Sequence, residues 1–335
     1  MKQVMILPYL GYGTRSRIRL CGRVLADEGI APARTVDGRW RNLVAFYKRL
    51  ESDEVPGARL RAALGGVEVQ ATTDREGYFS VVLDGLALKP GWHEARLALV
   101  SSPAVVGKGR VLVPSPRARF GVISDIDDTV VFSNVRNKVK MVLALALSNA
   151  RTRKPFTGVA AFYRALHAGL NPVFYVSKSP WNLYAPLVEF LAFQGLPPGP
   201  LMLRDFGLRM RKHHKTEAIE QILGTYPGLP FVLIGDSGEH DPEIYSDIVG
   251  RFPGRIRVIY IRSVDASRIA AVGHLVEKVR PSGAQLVLAP DSEFAAAHAA
   301  AEGLIQPSDL REVRSDRRSD ESSSPKALAS SGALK

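Results

Sequence analysis

The sequence predicts two domains of different classes: a small β-rich domain, followed by an α/β domain with a parallel sheet. After about residue 118, near-continuous apolar runs alternate with helical stretches, which is typical of buried parallel strands joined by helices. Before that point, short β-prone runs follow one another, as in antiparallel sheets. The length of 335 residues is more than one ordinary core takes and also favours two domains.

The first domain is predicted to cover residues 1–113 and to resemble a β-sandwich. Its strands are indicated by "SRIRLCGRVL", "VEVQATTDREGYFSVVL", "WHEARLALV" and "GKGRVLVP", and "TDREG" marks a turn. The stretch 40–55 reads as a helix or an irregular insert. Residues 114–118 are predicted to be a proline-bearing linker.

The second domain is predicted to cover residues 119–290. Five buried strands are indicated by "FGVISD", "NPVFYVS", "PLMLRD", "PFVLIGD" and "IRVIYIR". Helices are indicated by "GVAAFYRALHAG", "LYAPLVEFLAFQG", "HKTEAIEQILGTYP" and a last segment near 267–279. A helical extension is expected over 291–307. The rise in Ser, Arg and Asp predicts a disordered tail over 308–335.

The charge distribution favours an anionic partner. The net charge is +12, and the 45 basic residues are concentrated before residue 291. A basic folded body suits phosphates, anionic lipid or nucleic acid. No zinc-ligand spacing or aromatic-interleaved basic motif is present, so we do not expect a nucleic acid.

The compartment is predicted from cysteine and apolar content. The single cysteine, Cys21, excludes an intrachain disulfide and favours a reducing compartment. The apolar run near the start is interrupted by Pro8 and has no cleavage pattern, so no signal peptide is expected. No stretch reaches the roughly 20 apolar residues of a membrane span. We therefore expect a cytoplasmic location, with a peripheral position at the inner membrane surface as an alternative.

Polar side chains follow three of the predicted strands, at the point where each strand ends. They are Asp125, Asp127, Asp128 and Thr129; Ser177, Lys178 and Ser179; and Asp236 with Asp241, while the start of a helix adds Lys215. Because ligands of open α/β sheets bind beyond the carboxyl ends of the strands, we expect these residues to converge on one crevice.

These side chains, brought together in one crevice, are suited to a particular chemistry. Clustered carboxylates raise one another's pKa unless a cation lies among them, and oxygen-only ligands suit Mg²⁺. A lysine and a serine hydroxyl suit a phosphoryl group. A carboxylate can act as a nucleophile and form an aspartyl-phosphate, and a second carboxylate can protonate the leaving group. The sequence therefore predicts phosphoryl transfer.

Four segments in order carry a resemblance to a known superfamily. "DIDDTV", "YVSKSPWNLY", "HKTEAI" and "IGDSGEHDPEIY" are similar to the four motifs of haloacid dehalogenase (HAD) phosphatases. Over roughly residues 118–265 the chain resembles the catalytic domain of the actin-patch-protein type of phosphatidate phosphatase. The resemblance implies a HAD-like Rossmannoid parallel sheet with helices on both faces.

The resemblance also implies a different catalytic or metal-binding role for each carboxylate. Asp125 would be the nucleophile, and Asp127 would be the general acid and then the base. Magnesium would be held by Asp125, Asp236 and the backbone carbonyl of Asp127. Asp241 would reach the metal through water or would orient Lys215.

Phosphate binding would fall to a second group of residues. Ser177 would donate a hydrogen bond to the phosphoryl oxygens, and Lys215 would neutralise them. Thr129 would stabilise the loop after the first strand. Lys178 stands where a neutral polar residue such as Asn is expected, so it either adds a cation at the phosphate or faces solvent. The sequence assigns no role to Asp128, and His240 remains open between a structural role and one beside the site.

The substrate is expected to be phosphatidate, hydrolysed to diacylglycerol and phosphate. A soluble phosphomonoester is the alternative substrate, and a non-catalytic adaptor is the alternative function. The segment 136–154 is apolar with basic flanks, so it reads either as a helix lying on an anionic membrane or as a buried helix. The basic run 204–215 either attracts phosphate or forms a solvated face.

Overall fold

A computed structural model describes residues 3–27, 54–126, 158–204, 213–237, 240–262 and 266–322. The chain divides into two compact units. The first contains Met1–Pro116 with Gly199–Leu201, and the second contains Arg117–Pro198 with Met202–Lys335. Residues 40–53 of the predicted stretch 40–55, and the whole of the stretch 136–154, lie outside the described residues. Within the described ranges, no helix is both long enough and apolar enough to cross a bilayer.

The first unit is built from eight strands, most of them paired antiparallel. They are β1 (Gln3–Pro8), β2 (Gly11–Gly13), β3 (Arg17–Asp27), β4 (Arg59–Leu64), β5 (Val67–Thr72), β6 (Tyr78–Asp84), β7 (Gly91–Leu99) and β8 (Val106–Val113). Their order is β1-β3-β2-β8-β7-β4-β5, and β6 pairs with β3. The predicted β-rich domain is confirmed.

One apolar core is shared by the strands of this unit. In β7, Ala95, Leu97 and Leu99 are buried, whereas Glu94 and Arg96, on either side of Ala95, are exposed. The same alternation puts Leu60 of β4 and Ile18 of β3 into the cluster. Because side chains of a strand alternate between its faces, one face of each strand faces the core and the other faces solvent.

The second unit contains a six-stranded sheet. Its strands are β9 (Gly121–Asp125), β10 (Val173–Pro180), β11 (Leu201–Arg204), β12 (Phe231–Asp236), β13 (Ile256–Arg262) and β14 (Gln285–Ala289), in the order β11-β10-β9-β12-β13-β14. The pairings of β9 with β10 and β12, and of β13 with β12 and β14, are parallel. Strand β14 was not predicted, because "QLVLA" is short and starts with a polar residue at the sheet edge.

Seven α-helices accompany this sheet in the described residues. They are α1 (Val159–His167), α2 (Tyr184–Phe193), α3 (His214–Thr225), α4 (Asp241–Arg251), α5 (Ala266–Val279), α6 (Ser292–Ala301) and α7 (Asp309–Ser322). The chain runs outward through β10 to β11 on one side of β9, and through β12 to β14 on the other. Since crossovers are right-handed, this reversal places helices on both faces of the sheet. The predicted α/β class is confirmed.

The predicted disordered tail is wrong for residues 309–322, which form α7. Val313 is fully buried, and Arg164 of α1 pairs with Glu312 at 2.8 Å. Three further ion pairs join α7 to the start of α6: Arg314 contacts Glu293 at 2.7 Å, and Arg317 contacts Asp291 at 2.9 Å and Glu293 at 3.1 Å. A polar composition suggested disorder, but the partners of these charges lie on other elements, where the local sequence does not reveal them.

Replacing Val313 by alanine is expected to lower the free energy of unfolding by about 1–3 kcal/mol, because a buried valine loses its apolar contacts. Urea denaturation measures the change. Val106→Ala is the matched control, since Val106 is 49% exposed, and it should change stability by less than about 0.5 kcal/mol. Equal effects of the two changes would show that α7 is not packed as described.

Candidate active site

Asp125 and Asp236 end two neighbouring strands of the parallel sheet. Ser124 of β9 lies opposite Ile234 of β12, so the two aspartates follow at the same edge of the sheet. Each of them is only 5% exposed. The crevice beyond the carboxyl ends of parallel strands is the usual ligand position in such sheets.

Asp241, the first residue of α4, is packed against the end of β12. A Cβ atom added to Gly235 would lie 2.8 Å from the Cβ of Asp241, so only glycine leaves room for this approach. The backbone N–H of Asp236 donates a hydrogen bond to Asp241 Oδ2 at 3.3 Å. Tyr245, one turn later, donates from its hydroxyl to the carbonyl of Ile234 at 3.0 Å. These contacts explain the glycine at position 235 and the aspartate at position 241.

Lys215 joins three elements of the site. It lies in the first turn of α3 and is 3% exposed. Its Nζ lies 2.9 Å from Asp125 Oδ1, and it also donates to Asp241 Oδ1. Of the two positions predicted for Asp241, at a metal or beside Lys215, the structure places it in direct contact with Lys215.

The carboxylates form a cluster with the composition of a cation site. One oxygen each from Asp125, Asp236 and Asp241 lie within 4.8 Å of one another. With Lys215, these buried side chains carry three negative charges and one positive charge. Burial makes a net charge of minus two costly, and a divalent cation would balance it. Because the donors are all oxygen, the cluster fits a hard cation such as Mg²⁺.

Ser177 and Lys178 lie at the same edge of the sheet, on the strand next to β9. Val176 lies opposite Asp125, and Ser177 follows it. The Ser177 side chain is fully buried, and its Oγ accepts a hydrogen bond from the backbone N–H of Ser179 at 2.9 Å. Lys178 is half-buried. Asp127, Asp128 and Thr129 lie outside the described residues, so their roles stay predictions.

The histidines near the motifs lie at the surface. His213 and His240 are exposed, and His240 precedes α4 without capping it through its side chain. His214 is only partly exposed.

A pocket opens beside Asp125 and Asp236 towards β13, β14 and α6. Its walls are mainly apolar or aromatic, and its lining includes Val159, Phe162, Tyr163, Tyr260, Arg262, Ala289, Asp291, Ser292 and Ala295. No local pattern in the sequence indicates this pocket. Arg262 ends β13 and could have been found by the strand-end rule, whereas Phe162 and Tyr163 belong to a helix whose pattern indicates only core packing.

Tyr163 connects the pocket to the first strand. Its hydroxyl and Ser124 Oγ form a hydrogen bond of 2.6 Å. Burial raises the pKa of Tyr163 well above its ordinary value, and the hydrogen bond to Ser124 offsets part of this increase. The phenol therefore stays neutral near Asp125 at any physiological pH.

Comparison with known proteins gives a family match for the second unit. Residues 120–263 match the family model described as the catalytic domain of phosphatidate phosphatase APP1. Phosphatidate phosphatase APP1 of Saccharomyces cerevisiae is 32% identical over 163 residues, which are 46% of this chain and 28% of the relative. An uncharacterised protein of Schizosaccharomyces pombe is 30% identical over 213 residues, which are 59% of this chain and 35% of that protein. The chain thus spans about a third of the length of these relatives.

Among solved structures, phosphoserine phosphatase from T. onnurineus is similar to part of the chain. The match has a TM-score of 0.32 and 14% identity, and it covers 55% of this chain and 96% of that one. The fold class stated above depends on the strand order of the chain itself.

Proposed function

We propose that the chain is a magnesium-dependent phosphatase acting on phosphatidate, because residues 120–263 match the family model of the phosphatidate phosphatase APP1 catalytic domain and are similar to the yeast enzyme. The observation that carries the proposal is the buried cluster of Asp125, Asp236 and Asp241 around Lys215. A purely structural core gains little from three carboxylates with one cation, because burying charge is expensive.

The proposed reaction is of the HAD type and passes through an aspartyl-phosphate. A carboxylate oxygen of Asp125 attacks phosphorus, and the bond from phosphorus to the diacylglycerol oxygen breaks. Asp127, assigned from the motif alone, gives the leaving oxygen its proton and then removes a proton from water. That water hydrolyses the aspartyl-phosphate, which releases phosphate and restores the Asp125 carboxylate.

The other residues position the phosphoryl group. Lys215 reaches Asp125 and would balance charge on the phosphoryl oxygens, while its contact with Asp241 fixes its position. Ser177 is placed to donate a hydrogen bond to the same group. Asp125 and Asp236 would hold Mg²⁺, which when bound draws electron density from the phosphoryl oxygens.

The apolar pocket favours a lipid phosphate over a sugar phosphate. Val159, Phe162 and Ala295 lie along a cavity that also reaches Asp125 and Asp236, so apolar surface stands beside the proposed reaction centre. The cavity, of about 40 Å³, has no room for acyl chains, so its apolar surface would meet only the part of the ester next to the phosphate, which in a glycerol ester loses less on leaving water than a polyhydroxylated sugar does. We propose a cytoplasmic location, with a peripheral position at the inner membrane surface as the alternative.

The substrate is tested by phosphate release. Phosphatidate in detergent micelles and soluble sugar phosphates are compared side by side, with Mg²⁺ or with EDTA. We expect magnesium-dependent release that is at least about tenfold faster from phosphatidate, since a fitted apolar group contributes about 1–3 kcal/mol. Faster release from a sugar phosphate would favour the soluble alternative. No release from any ester would favour an adaptor.

Magnesium is expected to stabilise the folded chain whether or not it turns over substrate. A ligand present at a hundred times its dissociation constant adds about 2.7 kcal/mol, which for a unit of this size raises the melting temperature by roughly 5–10 °C. Asp236→Asn should abolish this shift. Asp247→Asn is the control, because Asp247 lies on the exposed surface of α4. A shift that survives in Asp236→Asn would place the cation elsewhere.

A further inference from the structure

The first unit presents an exposed face that is strongly basic. The outward side chains of β4, β7 and β8 include Arg59, Arg61, Arg96, Lys108 and Arg110, which we call the basic face. The inward residues of the same strands belong to the apolar core. Two acids, Glu68 and Glu94, lie on this side, so the net charge of the face is strongly positive.

Like charges on the basic face stand directly opposite one another. Arg96 of β7 pairs in register with Lys108 of β8, and such cross-strand pairs of equal charge are destabilising. Arg61 of β4 lies opposite Ala98, two residues beyond Arg96 on β7, so Arg61 and Arg96 are diagonal neighbours. The chain therefore keeps a repulsive arrangement that an anionic ligand would relieve.

The acids of the face offset only part of this charge. Lys108 contacts Glu94 at 3.0 Å, and Arg61 is 3.7 Å from Glu68. Exposed pairs of this kind are weak, because water and salt screen them. Among the described residues, neither Arg59 nor Arg96 has an ion pair.

Apolar groups are interspersed with the charges. The guanidinium of Arg110 stacks over the ring of Trp92 at 4.7 Å, and Trp92 lies opposite the half-buried Leu112. Val106 is 49% exposed on the same strand as Lys108 and Arg110. Indole rings beside lysine and arginine are typical of surfaces that meet the headgroup region of a bilayer.

We propose that the basic face docks the chain on an anionic phospholipid surface. The charges spread across three adjacent strands rather than along one stripe, which suits a planar partner, and the apolar groups suit headgroups better than nucleic acid. The choice of a lipid partner rests on the proposed function, because phosphatidate lies in a membrane. Each lysine or arginine near an anionic leaflet strengthens binding roughly fivefold.

The test compares two variants of the full chain that lose the same charge. The first triple variant changes the basic face and carries Arg59→Gln, Arg96→Gln and Lys108→Gln. The second changes exposed residues elsewhere on the same unit and carries Arg17→Gln, Arg75→Gln and Lys89→Gln. Co-sedimentation is measured with vesicles of phosphatidylcholine plus phosphatidylserine, and with vesicles of phosphatidylcholine alone. We expect the first triple variant to lose roughly a hundredfold in binding to the anionic vesicles, and the second to lose less than about threefold.

The single change Arg96→Gln distinguishes loss of docking from misfolding, because it is expected to weaken vesicle binding without lowering the melting temperature. It removes the repulsion with Lys108, so the melting temperature should stay level or rise while vesicle binding falls roughly fivefold. Equal losses in the two triple variants, or equal binding to neutral vesicles, would overturn the proposal. So would binding of a DNA duplex by the basic face in the absence of vesicle binding.

Vesicle binding separates this proposal from the enzymatic one. If phosphatidate is not hydrolysed but binding depends on the basic face, the docking surface stands and the proposed function fails. If phosphatidate in micelles is hydrolysed and both triple variants bind vesicles as the unmodified chain does, the function stands and the docking surface fails.

Discussion

Replacing Asp125 by asparagine is expected to reduce magnesium-dependent phosphate release from phosphatidate by roughly 10³–10⁶-fold. The amide keeps the size of the side chain, and it leaves in place Lys215, whose Nζ lies 2.9 Å from Asp125 Oδ1. It lacks the anionic oxygen that attacks phosphorus. Initial rates at saturating phosphatidate measure the loss.

Two observations make this result specific. Asp247→Asn, on the exposed part of α4, should keep full activity, and circular dichroism should show that both variants are folded. If Asp125→Asn retains more than about a tenth of the activity, another residue is the nucleophile, since loss of a nucleophile costs far more than tenfold.

The second large effect is on stability. Lys215→Met is expected to lower the free energy of unfolding by about 3–5 kcal/mol in the absence of metal, because it leaves Asp125 and Asp241 buried without their cation. Lys278→Met is the matched control, because Lys278 is exposed on α5. Urea denaturation in EDTA measures both changes.

A double-mutant cycle shows whether the loss belongs to the buried pair. In an Asp241→Asn background, Lys215→Met should cost less by about 0.5–3 kcal/mol, since one uncompensated charge has already been removed. Strictly additive losses would mean that Lys215 stabilises the fold through packing of its aliphatic part rather than through Asp241.

Much of the candidate site could be predicted because sheet geometry is regular. Asp125 and Asp236 end buried strands, Ser177 is the last buried residue of β10, and parallel strands bring these positions to one edge. Lys215 and Asp241 were expected from motif spacing. Whether Asp241 contacts a metal ion or Lys215 depends on how α3 and α4 pack, and the local sequence does not indicate this packing.

The parts that could not be predicted depend on distant contacts. Ser124 and Tyr163 are 39 positions apart, yet they share a hydrogen bond at the pocket. Helix α7 is polar in composition, and it is held by the buried Val313 together with ion pairs to α1 and to the start of α6. Strand β14 takes its register from β13 rather than from its own five residues.

The packing of α7 bears on where the chain can be cut for expression. The family match ends at residue 263, but β14 continues the sheet, and α6 forms a wall of the pocket. Arg317 of α7 forms an ion pair with Asp291, the residue before α6, at 2.9 Å. A fragment that ends at residue 263 would lose β14, α6 and α7. The shortest fragment that we expect to crystallise or to be assayed reliably therefore runs from Arg117 to at least Ser322.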